Sequence, residues 1–226
     1  PTIDINGTGT SFDLKASTTF VAPAASFTVA GSWSDVGTFT HNSGTVTFDA
    51  SSAGKTITST GSSFNNLIFS NASGGWSPSD ALVIDLDLTM TNGTLSGTQN
   101  VTVSGGDVTG DGDINITGGT FTVSGASGTG FGGSTAWDFN NLTFSGDAST
   151  TTALGSGAID IAGTLTISGT HVLNASSKSW VLSGSGTPLS RTGTFTASTS
   201  TVTYDSATGV AALSSAAITG DNAFYN

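Results

Sequence analysis

Short runs with an apolar–polar–apolar pattern recur along the chain, as in Phe27-Thr28-Val29, Val46-Thr47-Phe48, Leu67-Ile68-Phe69, Leu86-Asp87-Leu88, Val101-Thr102-Val103, Phe121-Thr122-Val123 and Leu142-Thr143-Phe144. Each run sets two apolar side chains on one face, the period-2 signature of a β-strand, and Gly, Asn, Ser and Asp clusters punctuate the runs with turn chemistry. Spacing narrows the choice further. From Phe27 the first members of these runs recur at nearly even intervals, and a second series (Phe39, Ile57, Trp76, Leu95, Ile114) recurs at almost the same interval. Two interleaved series predict a unit of about 20 residues holding at least two strands, which is the mark of a solenoid. The expectation is an all-β parallel β-helix, one rod over residues 1–226 with about eleven coils. Tandem antiparallel β-sandwiches are the alternative. Buried positions would be Phe39, Val46, Phe48, Leu67, Phe69, Leu86, Leu88, Val101, Val103, Phe121, Val123, Leu142 and Phe144.

Composition agrees. Of 226 residues, 40 are Thr, 35 Ser and 32 Gly, all 15 acidic residues are Asp, and only four are Lys or Arg. Exposed helix faces need Glu, Lys, Arg or Gln, so bundles and ordinary α/β enzymes are excluded. A net charge of −11 leaves no basic stripe, which argues against nucleic acid as a partner and against a polybasic membrane site. No apolar run is long enough to span a bilayer, so no membrane insertion is expected. Without cysteine there is no disulfide, thiolate nucleophile or Cys-ligated metal.

A longer repeat is superimposed on the coils. Gly37-Thr38-Phe39-Thr40 returns at 119–122 and 193–196, Phe64-Asn65-Asn66-Leu67 at 139–142, and Val46-Thr47-Phe48-Asp49 as Val202-Thr203-Tyr204-Asp205. Each step of the Phe-rich motif would equal about four coils. The run from Gly31-Ser32-Trp33 through Gly37-Thr38-Phe39-Thr40 to Gly44-Thr45-Val46-Thr47-Phe48, followed by Phe64-Asn65-Asn66-Leu67, resembles a Gly/Thr/Ser-rich repeat of large bacterial cell-surface proteins. That resemblance covers residues 31–70 well and implies a right-handed parallel β-helix of adhesin or surface-fibre type. It carries no catalytic motif.

Several residues invite a chemical role. Asp107, Thr109, Asp111, Asp113 and Asn115 place oxygens at alternate positions around Gly112, similar to an EF-hand or dockerin calcium loop. Gly118 stands where a bidentate acid belongs, and the competing reading is a solvated turn. Calcium is thus the one cofactor to consider. Trp33, Trp76, Trp137 and Trp180 would either grip sugar faces or fill the core, and the repeat-linked positions of the first two favour the core. His41 and His171, far apart in sequence, are expected on the surface or in turns. Asp85 and Asp87 would point outward from one strand as a carboxylate pair, yet no Lys or Arg lies near them in sequence, and Arg191 has no acid near it. Seven Asn-x-Ser/Thr sites, from Asn6 to Asn174, would permit glycosylation of a secreted chain.

These features point away from catalysis. The expected function is a non-catalytic extracellular structural protein, a subunit or segment of a cell-surface filament. The alternatives are an adhesin stalk binding surfaces or glycans, and a β-helical polysaccharide-active protein. Strand-like Ile3-Asp4-Ile5 and the aromatic Phe224 and Tyr225 stand near the two ends, where solenoids usually carry polar caps. Ile3, Ile5, Phe224 and Tyr225 are therefore the expected end-to-end assembly contacts, and self-assembly the expected partnership.

Overall fold

The computed structural model describes residues 3–5, 7, 9–125, 128–146 and 149–205. Every strand pairing among them is parallel, and none is a hairpin. This excludes the antiparallel sandwiches and gives a parallel β-solenoid of about nine turns. At about 4.8 Å per coil those turns rise roughly 43 Å.

Each coil has three faces. In the fourth coil, residues 66–69 form the first face, residues 75–78 the second and Leu82–Ile84 the third. Inward residues stack in register. On the first face Phe27 lies over Val46, then Leu67, Leu88, Val108 and Phe131, one coil per step. On the second, Trp76 lies over Leu95 and Ile114, and farther along Trp137 over Ile159 and Trp180. On the third, Phe64, Ile84, Val103, Val123, Phe144 and Ile167 form one column. The alternating side chains face outward and are mostly Thr and Ser, so the period-2 pattern is read as core against solvent.

The core has three segments. One aromatic cluster runs from Phe12, stacked on Trp33 at 3.8 Å, to Trp76, and a second gathers Phe121, Phe131, Trp137, Phe139 and Phe144. Between them the interior is aliphatic: Leu88, Met90, Leu95, Val101, Val103 and Val108.

Twelve of the thirteen expected core residues are buried, and Leu86 is not: it is 42% exposed. Asp85-Leu86-Asp87 is a bend between the third face and the next coil, so the alternation read through it breaks. The same bend distorts the spacing. The first series of anchors starts on the first face, passes through this corner, and continues from Val101 on the third face. The superrepeat is likewise not a geometric one. Phe64-Asn65-Asn66-Leu67 turns from the third face to the first, whereas Phe139-Asn140-Asn141-Leu142 turns from the second to the third. Val46–Phe48 lies on the first face and Val202–Tyr204 on the second.

Candidate functional site

The calcium-like loop bends around the corner between the first and second faces, and its oxygens serve the neighbouring coil. The Asp107 carboxylate accepts from Gly130 N at 2.7 Å. Asp111 Oδ1 accepts from Ser134 N at 3.1 Å and from Ser134 Oγ at 2.6 Å, which holds the Asp111 carboxyl below its usual pKa. Upstream, Asp107 N itself donates to Asp87 Oδ1, and Asp87 N to Asn66 Oδ1. Asn66, Asp87 and Asp107 thus form a ladder in which each short side chain clamps the coil above. Asp and Asn reach the next backbone N–H with one methylene. Among the described residues no group of three or more His, Cys, Asp or Glu is placed to hold a metal ion.

Asp113 and Asn115 belong to a different array. Both lie in Asp113–Val123 on the second face, Asn115 pairs with Asp138, and Asp138 with Asp160. Burial raises the Asp160 carboxyl first, and the adjacent charge and hydrogen bond of Asp138 raise it further. Asp113 is raised by burial and then by the same Asp138, while the Thr94 hydroxyl opposes the shift. Asn115 Oδ1 is buried without a partner. Following the register back, Trp76 pairs with Leu95, which sets Ser96 beside Ser77, and Ser77 pairs with Thr56. One outward row therefore reads Thr56, Ser77, Ser96, Asn115, Asp138, Asp160 over six coils.

At the hydroxyl end of this row is a cleft of about 390 Å3. Coil four carries the segment 71–74 where coil five has only Gly93, and this insertion raises one wall. Gly75 keeps the floor open, since a Cβ there would lie 2.9 Å from the Ala53 Cβ, whereas Gly74 faces inward, where a Cβ would run into the core Trp76 ring. Lys55, Thr56, Ser77, Thr94 and Ser96 supply the polar lining. Trp76 also lines it, is 1% exposed, and its indole N–H has no acceptor. By contrast, the Trp137 indole donates to Gly112 O at 2.8 Å.

Two buried polar groups lie in the second aromatic segment. His171, expected on the surface or in a turn, closes the turn that starts at Ser168, but its side chain is fully buried and stacked on Phe144 at 5.9 Å. Ser149 Oγ lies 2.6 Å from its Nδ1 and Thr151 Oγ1 3.1 Å from its Nε2, and Thr151 continues to Thr129 at 2.9 Å. This satisfied hydroxyl chain is why an imidazole is tolerated inside, and burial lowers its pKa. Lys178 is 1% exposed and donates to Gly133 O at 3.2 Å and Gly157 O at 2.6 Å. Burial lowers its pKa to about 8.

The other candidates separate. All four Trp are in the core. Asp85 and Asp87 do not pair: Asp85 meets His41 Nε2 at 3.1 Å and accepts from Ser63 Oγ at 2.9 Å. Here the carboxylate stands between Ser and His, so the imidazole cannot take the serine proton as an acyl-transfer triad requires. Arg191 donates to Gly193 O. Ile3 is paired with Phe27 and Ile5 is half-buried against the core, while Phe224 and Tyr225 lie outside the described residues. Comparison with known proteins finds no family model, no curated protein and no solved structure that matches the chain.

Proposed function

We propose that this chain is a non-catalytic, extracellular structural protein, a subunit or segment of a cell-surface filament whose rods meet end to end. The observation that supports this most directly is continuity. Each coil hydrogen-bonds to the next in parallel register on at least two of its three faces, and one hydrophobic core runs through the described coils. A parallel ladder of this kind templates another strand layer wherever its last strand is left unpaired. A head-to-tail contact that does not close yields a filament. The outer Thr and Ser rows and the four cations of the whole chain suit a hydrated, inert surface. The bacterial surface-fibre resemblance of residues 31–70 belongs to the same reading.

Negative-stain electron microscopy and sedimentation of the purified chain test it. Fibres one coil-stack wide are expected, shortened by Ile5→Asp without loss of the β circular-dichroism signal. A chain that stays monomeric at millimolar concentration would overturn the filament reading.

A further inference from the structure

We propose that the cleft over Gly75, with the outward row that leaves it, is a binding track for a neutral, linear polysaccharide. The cleft volume of about 390 Å3 falls in the range of ligand pockets, about 300–1,000 Å3. Its floor is glycine backbone, which lets a flat ring approach closely. The lining offers hydroxyls from Thr56, Ser77 and Ser96, which both donate and accept, and this suits a polyhydroxylated ligand. Beneath this floor the Trp76 ring, buried in the core, gives the cleft a rigid base.

Direction and charge narrow the ligand further. Register carries the lining hydroxyls on to Asn115, Asp138 and Asp160, one residue per coil, in a row that follows the stack of coils. A linear chain laid along that row meets a new hydrogen-bonding group at every coil, about 4.8 Å apart. The cleft carries one cation, Lys55, against the carboxylates of Asp113, Asp138 and Asp160 along the track, so the track as a whole repels an anionic polymer, uronate or sulfated chains are disfavoured and a neutral glycan is selected. The inference does not depend on end-to-end assembly, because the track lies on a lateral face.

Titration calorimetry of the full chain with cellopentaose, a neutral linear probe, tests this, with tri-galacturonate as the anionic comparator. Saturable binding of cellopentaose is expected, at least tenfold weaker for tri-galacturonate. Ser77→Tyr, which fills the cleft, should weaken cellopentaose binding at least tenfold. Ser96→Tyr is the second variant should the first fail to fold by circular dichroism, and Thr28→Tyr on the first face should leave binding unchanged. Absence of cellopentaose binding, equal binding of tri-galacturonate, or undiminished binding by a folded cleft-filling variant would each overturn the proposal. None of these outcomes bears on filament formation, which electron microscopy reads separately.

Discussion

Asp138 and Asp160 are register partners on neighbouring coils, and their side chains share a hydrogen bond. In a parallel ladder identical residues stack directly, so two carboxylates in one column repel unless a proton lies between them. Burial, then the Asp138 charge, raises the Asp160 carboxyl. A raised carboxyl binds protons more tightly in the folded state. Its stabilising contribution is therefore present at acid pH and lost as pH rises from the ordinary Asp range through the raised value. Asp138→Asn should increase stability at pH 7 by about 0.2–1 kcal/mol, the scale of cross-strand charge pairs. The gain should vanish near pH 3. Urea melts of both proteins at the two pH values check it.

Lys178 gives the opposite slope in another window. Its folded pKa of about 8 lies below the ordinary lysine value, so the unfolded chain holds the extra proton between about 8 and 10.5. Stability should rise with pH across that range and be lowest where the buried ammonium is fully charged, below pH 8. Lys178→Met removes the rise but strands the Gly133 and Gly157 carbonyls, each worth about 1–3 kcal/mol when left unpaired. The discriminating measurement is the pH slope of the melting temperature between 7.5 and 10, which should flatten in the variant whatever its absolute stability.

Much of the fold is legible in the chain because inward and outward residues alternate by type, as Val101-Thr102-Val103 and Leu142-Thr143-Phe144 do. What the pattern hides is which of three faces a strand occupies. The faces are chemically alike, so Phe-Asn-Asn-Leu serves two different corners and Val-Thr-aromatic-Asp begins on two different faces. Leu86 is misread because a bend can hold an apolar residue between two acids without burying it. The row from Thr56 to Asp160 is illegible for a related reason: its members stand at unequal intervals in sequence, and only the lengths of the corner insertions, such as 71–74, fix which of them align. The Asp107–Asn115 motif is visible in the chain, but spacing alone does not tell oxygens that converge on one centre from oxygens that clamp the next coil.

His171 should confer a loss of stability on the acid side. Burial lowers its pKa, so the unfolded chain takes up the proton first as pH falls below the ordinary histidine value of about 6.5. Stability contributed by the neutral ring is present above that value and is lost as pH drops toward the lowered one. His171→Phe keeps a ring against Phe144 but leaves Ser149 without its imidazole partner. A loss of about 1–3 kcal/mol at pH 7 is expected. Chemical denaturation from pH 7 to 5 should show the wild type weakening more steeply than the variant.

The glycines beside the cleft can be tested separately, since Gly74 and Gly54 resist a side chain for different reasons. A Cβ on Gly74 would run into the Trp76 ring and lie 2.7 Å from Ala50 O, and neither can move without disturbing the core. Gly54 has nothing within 4 Å of such a Cβ, but its φ of +81° disfavours any L side chain. Gly74→Ala should therefore cost about 1–3 kcal/mol, the scale of overpacking, whereas Gly54→Ala should cost about 1 kcal/mol, from backbone strain alone. Trp76→Ala in the Gly74→Ala background separates clash from strain. Truncating Trp76 alone should cost about 3–5 kcal/mol, and with the ring gone the added Gly74 methyl should cost less than it does in the wild type. Equal costs of Gly74→Ala in the two backgrounds would show that the indole is not what the methyl meets. Thermal and urea unfolding of the four proteins closes that cycle.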